Sequence, residues 1–94
     1  MSALLIVQLK VKNAEKLKHY SASTPPIFQK FGGELVQKGK QELLFGSSDP
    51  RFDTTVVYRF ADRQAAKGWY DSPEYQALIP LRDEAFDSVF AIVG

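Results

Sequence analysis

The chain has 94 residues, a formal net charge of +1, 45% hydrophobic residues and no cysteine. A chain of this length forms one domain, here 1–94, and without cysteine it has no disulfides and no thiolate chemistry. Its 12 Lys and Arg residues form no basic stripe, which argues against a nucleic-acid partner. Because it shows neither a signal peptide nor an apolar run of the roughly 18 residues that span a membrane, we expect a cytoplasmic protein.

The first third of the chain predicts a strand followed by a broken helix. Residues 3–11 are rich in branched side chains, and their alternation assigns apolar residues to both faces of the strand. Asn13 is a plausible N-cap, and apolar residues at helical spacing follow it as far as Phe31. The prolines at 25 and 26 should kink or restart this helix, and Gly32 suits its end.

The middle of the chain predicts two strands separated by a loop. Residues 34–39 favour a strand, and 41–46 are predicted to continue it past a kink at Gly39. The stretch 47–53 is rich in turn residues. Residues 54–60 then predict the next strand.

The last third predicts a helix in two pieces and a final strand. Asp62 can cap a short helix, and Ser72 can cap a second with Pro73 at its first position. Pro80 should bend that helix or end it early, and 88–93 reads as a strand. The order β-α-β-β-α-β predicts an α+β ferredoxin-like sandwich, a four-stranded antiparallel sheet with helices on one face.

The strands do not alternate cleanly between apolar and polar residues, and this predicts an assembly. Leu4 and Ile6 are apolar opposite Leu5 and Val7, and 88–93 is apolar on both faces. The sheet face away from the helices should therefore carry an apolar patch of a kind that monomers rarely expose. We expect a second copy to cover it, sheet against sheet, in a two-fold dimer. The alternative is a monomer with an unusually apolar sheet.

The run "WYDSPEYQALIPLRDEA", residues 69–85, together with Tyr20, Pro25 and the Gly pair at 32–33, resembles a bacterial family known as domain of unknown function number 1330. That resemblance implies the dimeric α/β-barrel superfamily, in which two ferredoxin-like sheets pair. It implies no activity, although relatives in the superfamily include small monooxygenases and lactone isomerases. Phe31 departs from the family pattern, where a polar ring is common.

Four residues are the candidate ligand-binding set: Tyr20, Trp69, Tyr75 and Arg82. A guanidinium grips a carboxylate through two hydrogen bonds, and aromatic rings supply apolar walls, so the set suits a small aromatic or anionic metabolite in a cleft between sheet and helices. The competing interpretation is that the aromatics are core, that "DSPE" merely starts a helix, and that Arg82 pairs with a nearby acid. His19 is expected to face solvent.

The sequence predicts no metal site, since a single His and no Cys leave only unpatterned carboxylates, and it matches no nucleotide loop, so no cofactor is expected. The leading hypothesis is a small dimer with one metabolite cleft per subunit. If it is an enzyme, analogy of fold suggests a cofactor-independent isomerase or monooxygenase-like reaction. The alternative hypothesis is a non-catalytic interaction domain without a small-molecule site.

Overall fold

The computed structural model describes residues 2–46 and 52–94. Strands and helices alternate through this part of the chain, with the bounds β1 Ala3–Val11, α1 Ala14–Ser23, α2 Pro25–Lys30, β2 Glu34–Lys40, β3 Thr54–Phe60, α3 Arg63–Asp71, α4 Pro73–Gln76, α5 Ile79–Ala85 and β4 Phe86–Val93. None of the described helices is long and apolar enough to cross a membrane.

The four strands form one antiparallel sheet in the order β2-β3-β1-β4. This is the topology of a ferredoxin-like sandwich, and it confirms the predicted fold class. The helices cover one face of the sheet, as the alternation in β1 shows: Leu5 and Val7 are buried beneath the helices, whereas Gln8 on the opposite face is exposed.

Three predicted caps begin the helices as expected. The side chains of Asn13, Asp62 and Ser72 accept hydrogen bonds from the backbone N–H three residues further on, at 3.0, 2.7 and 3.2 Å. The first helix breaks at Thr24, and Pro25 opens its second piece, because proline cannot donate back into the preceding turn.

Two details of the prediction for the last third of the chain need correction. The second helical region has three pieces rather than two, since α4 ends at Gln76 and α5 begins at Ile79. Pro80 has no N–H for the carbonyl of Gln76, four residues earlier, so the helix stops there and proline takes a place in the first turn of α5. The last strand begins at Phe86, two residues earlier than predicted, directly after α5.

The predicted continuation of the second strand through 41–46 is wrong. The backbone N–H of Gln41 still donates to the carbonyl of Asp53 at 3.1 Å, but no described strand lies beyond this point to pair with the chain. Leu44 and Phe45 project into solvent, 91% and 96% exposed. Most of the predicted loop 47–53 lies outside the described residues.

The core fills the space between the helices and the sheet. Its largest fully buried side chains are Trp69, Tyr75 and Phe60. Gly33 permits the close approach of α2 to the sheet, because a Cβ atom there would lie 2.8 Å from Phe60 and 2.9 Å from Phe28. The aromatic core therefore depends on a glycine at the entrance to β2.

The open face of the sheet, opposite the helices, carries an apolar patch. Ile6 lies at its centre, paired with Val57 on β3 and Ala91 on β4. The next rungs add further aliphatic side chains, and the patch comprises Leu4, Ile6, Val57, Val89, Ala91 and Val93. Val89 and Val93 are 46% and 57% exposed in the single chain. The predicted patch is thus present.

Candidate functional site

The site is built around Trp69, a fully buried residue of α3. Its ring stacks on Phe28, with centroids 4.7 Å apart, and lies 4.3 Å from the ring of Tyr75. Its indole Nε1 is the one buried side-chain polar atom without a hydrogen-bond partner in the described part of the chain. A buried donor left without an acceptor costs roughly 1–3 kcal/mol.

Beside Trp69, four helices bring together a chain of polar side chains, with Tyr70 contributed by α3. The hydroxyl groups of Tyr20 on α1 and Tyr75 on α4 are 2.7 Å apart. Arg82 on α5 donates through Nη1 to the hydroxyl of Tyr70 at 3.0 Å and, more weakly, to that of Tyr75 at 3.4 Å. We call Tyr20, Tyr75, Arg82 and Tyr70 the tyrosine–arginine chain.

The side chain of Arg82 is more buried than is usual for a charged residue. Its side chain is only 12% exposed, and its guanidinium carbon lies 5.0 Å from the ring centroid of Phe90. Its Nε donates to Asp83 at 3.1 Å, an acid that is itself largely in solvent. Its Nη2 makes no hydrogen bond within residues 2–46 and 52–94, so the two N–H donors of that nitrogen have no acceptor among those residues.

The surroundings fix the protonation states of the chain. Burial raises the pKa of Tyr20 far above its ordinary value, and the neighbouring Tyr75 raises it further. Burial also raises the pKa of Tyr75, although the bonds to Tyr20 and Arg82 oppose the change. Burial alone would lower the pKa of Arg82, but its bonds to Tyr70 and Tyr75 outweigh that effect and raise it. At neutral pH Tyr20 and Tyr75 are therefore hydroxyl donors and Arg82 is a cation.

A groove of about 680 Å³ opens between α3, α5 and β4; we call it the β4-side groove. Trp69, Tyr70 and Phe90 form aromatic parts of its wall, and Arg82 supplies a charge. Further cations lie along it: Lys12 pairs with Asp87 at 3.3 Å, while Lys67 has no ion-pair partner among the described residues. Three acids, Asp71, Asp83 and Asp87, also line the groove, and two of them pair with Arg82 and Lys12. The groove therefore combines aromatic surface with four cations and three acids, a small excess of positive charge.

A second cavity, of about 640 Å³, lies between α1, α2 and the β1, β2 and β3 strands; we call it the β2-side cavity. Its wall is mainly apolar and includes Leu9, Phe28 and Val56. Tyr20 and Tyr58 are among its lining residues. Phe86 and Phe90 line both spaces, so one aromatic wall separates the cavity from the groove.

The structure brings all four sequence-predicted residues into one cluster but not into one cavity. Trp69 and Arg82 line the groove, Tyr20 lines the cavity, and Tyr75 lies buried between them. The alternative expectation for Arg82 also holds in part, since it pairs with Asp83. His19 is exposed, as expected.

Sequence reasoning missed Phe90 and Tyr58 as members of the site. Tyr70 belongs to the aromatic stretch that the sequence singles out beside Trp69, but its bond to Arg82, 12 positions away, carries no local signal. Phe90 could have been found from the alternation of the last strand, which turns it toward the helices. The described residues contain no group of three or more acidic or His side chains placed to hold a metal ion.

A family model described as Domain of unknown function (DUF1330) matches residues 2–94. The chain belongs to this family. The predicted resemblance is therefore confirmed, and the DUF1330 description itself carries no activity. No curated protein matches the chain.

Solved structures similar to this DUF1330 chain share its fold at low identity. RPA0582 from Rhodopseudomonas palustris, a protein of unknown function, matches with TM-score 0.80 and 19% identity over 98% of this chain and 80% of its own. SnoaB from Streptomyces nogalater, a cofactor-independent oxygenase, matches with TM-score 0.69 and 13% identity over 99% and 91%. A dimeric ferredoxin-like protein of unknown function from Jannaschia sp. CCS1 matches with TM-score 0.70 and 12% identity over 100% and 99%.

Proposed function

We propose that this DUF1330 protein binds a small aromatic carboxylate, or a similar flat anionic metabolite, in the β4-side groove. The observation that carries the proposal is Arg82: a guanidinium whose side chain is 12% exposed, anchored by two tyrosine hydroxyls, with Nη2 unused among the described residues. A buried, pre-oriented guanidinium is suited to a planar anion, because little side-chain freedom remains to be lost on binding.

The walls of the groove support the same ligand class. Tyr70 and Phe90 flank the guanidinium, with ring centroids 5.8 and 5.0 Å from its carbon. Trp69 contributes part of the aromatic wall, and its buried Nε1 is a donor without an acceptor among the described residues. An aromatic acid would thus find both apolar area and donors within one groove.

For a reaction, the residues favour proton donation over proton abstraction. The raised pKa values of Tyr20 and Tyr75 keep both phenols protonated, so neither is a base at neutral pH. We extend the proposal to a cofactor-independent isomerase or monooxygenase-like enzyme; the support is the shared fold with SnoaB, described as a cofactor-independent oxygenase. Fold alone does not carry activity, so binding is the primary proposal.

One observation favours a second function, that of a non-catalytic interaction domain. Trp69 and Tyr75 are both 0% exposed, and close packing alone accounts for buried aromatics. Under this alternative the tyrosine–arginine chain is a satisfied polar network in the core, and no small molecule changes the environment of Trp69.

The test is a titration with 2-naphthoate followed by the emission of Trp69, the chain's single tryptophan. We expect quenching or a spectral shift, and roughly tenfold or greater loss of affinity in Arg82→Met, since a hydrogen-bonded charge contributes about 1.5–3 kcal/mol. Arg82→Lys should recover only part of the affinity, because an ammonium lacks the planar fork.

The matched control is Lys18→Met, which removes one exposed positive charge from α1 and should bind like the parent. Native mass spectrometry of the protein from its own host would in parallel show any retained metabolite. Equal weak binding by the parent, Arg82→Met and Lys18→Met would reject the groove and favour the interaction domain.

We also propose that the molecule is a homodimer, paired through the open face of the sheet. The apolar patch centred on Ile6 is the support, since a continuous aliphatic surface of this kind is stabilised by burial against a like surface. The Jannaschia protein with the same fold is described as dimeric.

A further inference from the structure

We propose that the β2-side cavity is a second binding site, and that it takes an uncharged aromatic molecule whose carbonyl oxygen accepts the hydroxyl hydrogen of Tyr20. This site is separate from the β4-side groove and does not rest on the function proposed for it. The tyrosine–arginine chain can donate its hydrogens in one order, and that order leads to this cavity.

Arg82 fixes the first step of that order, because a guanidinium has donors and no acceptor. Nη1 of Arg82 must therefore donate to the hydroxyl oxygen of Tyr75. The hydroxyl hydrogen of Tyr75 then has two alternatives: it is donated to Tyr20, or it is left without a partner in the core.

The burial of Tyr75 decides between the alternatives. Its side chain is 0% exposed, so an undonated hydroxyl hydrogen would be a buried, unsatisfied donor. Donation from Tyr75 to Tyr20 across 2.7 Å satisfies it. Tyr20 then accepts this bond and keeps its own hydrogen for another acceptor. No other hydrogen bond is made by its hydroxyl within the described residues.

Tyr20 is the member of the chain that lines the β2-side cavity, and we infer that its remaining hydroxyl hydrogen turns toward that cavity. The Tyr20 hydroxyl is a stronger donor because it belongs to a series of hydrogen bonds. Arg82 polarises the hydroxyl of Tyr75, which in turn polarises that of Tyr20. The hydroxyl also stays protonated, because burial and Tyr75 raise its pKa. It suits an oxygen that carries partial negative charge.

The walls of the cavity define the rest of the ligand. Rings of Phe28 and Tyr58 stack at 4.0 Å on one side, and Phe86 and Phe90 are contributed by β4. The cations at the cavity, Lys38 and Lys40, belong to the fully exposed strand β2, and Lys40 pairs with Asp53 at 2.9 Å. Beside Tyr20 the wall is aromatic, because its ring packs edge-on against Phe86 with centroids 5.2 Å apart. An uncharged aromatic body is therefore favoured at this end of the cavity over a charged one.

The experiment uses 2-acetylnaphthalene labelled with carbon-13 at the carbonyl, followed by infrared difference spectroscopy. On binding to the parent protein, the carbonyl band should move to lower frequency than in an apolar solvent. Tyr20→Phe, which keeps the ring, should abolish that displacement and weaken binding roughly twofold to tenfold, the contribution of one hydrogen bond.

Two further variants separate the donor chain from general packing. Tyr58→Phe removes a hydroxyl from the same cavity but not from the chain, so the displaced band should remain. Arg82→Met removes the cation at the start of the series, so the displacement should become smaller while the ketone still binds. A purely structural role of Arg82 would not alter the carbonyl frequency.

Three results would overturn the proposal. They are failure of the ketone to bind at millimolar concentration, an unchanged carbonyl band in Tyr20→Phe that remains folded by circular dichroism, and competition between the ketone and 2-naphthoate for one site. The last would show that cavity and groove are not separate sites. Binding of 2-naphthoate depends on Arg82 and tests the groove, whereas the carbonyl band of the ketone depends on Tyr20 and tests the cavity. Either proposal can therefore fail while the other holds.

Discussion

Among single residues, Ser72 links the helix signal in the sequence to the aromatic site. Its hydroxyl donates to the carbonyl of Trp69 at 2.7 Å and accepts from the N–H of Tyr75 at 3.2 Å, and the side chain is buried. The "DSPE" stretch is therefore a helix start, as predicted, and that start also sets the spacing between two members of the site.

We expect Ser72→Ala to lower the free energy of unfolding by about 1 kcal/mol, or about 4–8 °C in Tm, because a helix cap is lost. Asn13→Ala removes an exposed cap of the same kind and should also lower Tm. Thermal unfolding measures both effects. Only Ser72→Ala should also shift the emission of Trp69, and the same shift in Asn13→Ala would contradict the link.

The buried tyrosines make stability sensitive to alkaline pH. The pKa values of Tyr20, Tyr58 and Tyr75 are raised in the folded protein by burial, whereas the unfolded chain ionises near the ordinary value of 10.0. Above that pH the unfolded state holds fewer protons than the folded state, so the free energy of unfolding falls as pH rises.

Urea unfolding measured between about pH 8 and pH 11 should show this fall. In Tyr20→Phe the slope above about pH 10 should be shallower than in the parent, because one buried group no longer titrates. An identical slope in the two proteins would mean that Tyr20 ionises freely when folded.

Among the helices and strands, the features that were predicted correctly are those that depend on residues close in the sequence. Caps at Asn13, Asp62 and Ser72 were predictable because each acts within one turn. The failed continuation through 41–46 had apolar residues suited to a strand, but pairing requires a neighbour, and β3 starts only at Thr54. Local pattern determines the preference of a segment, whereas its partner determines whether a strand forms.

Two glycines of the β2 region offer a matched test of packing between layers. Gly33→Ala should destabilise the protein by roughly 1–3 kcal/mol, because the added Cβ would lie within 3 Å of Phe60 and Phe28. Gly39→Ala meets nothing within 4 Å and should be neutral or slightly stabilising. Chemical denaturation compares them. Equal changes in the free energy of unfolding would mean that Phe28 and Phe60 rearrange at little cost around the methyl group added by Gly33→Ala.

For the whole molecule, the sequence predicted the fold and the cluster of four residues but not the division between groove and cavity. The fold follows from element order and strand faces, which are readable along the chain. The division depends on Phe86 and Phe90 standing between two openings, a relation among distant elements. The proximity of the four candidates was thus more predictable than the shape of the spaces around them.

The proposed dimer is tested at this scale by Ile6→Lys. A charge at the centre of the open face should raise the dimer dissociation constant by about 100-fold or more, because each copy loses a buried aliphatic side chain, worth about 1.5–3 kcal/mol. Analytical ultracentrifugation measures the change. Val11→Lys is the control, since it places the same charge on the same strand but on the helix side.

With Ile6→Lys, far-ultraviolet circular dichroism should stay like that of the parent while the sedimenting mass falls to one chain. A parent that already sediments as one chain at micromolar concentration would reject the dimer. A dimer that survives Ile6→Lys would show that the copies meet elsewhere.

The place of β1 in the sheet has a consequence for how the chain folds. This strand is the first in sequence, yet it lies between β3 and β4, and its ladder with β4 joins residues 4–11 to residues 86–93. Closing so large a loop is slow compared with forming helices or hairpins. During synthesis, the edge of β1 that pairs with β4 therefore stays unpaired until residue 93 has left the ribosome. The sheet is completed only after the domain has been translated.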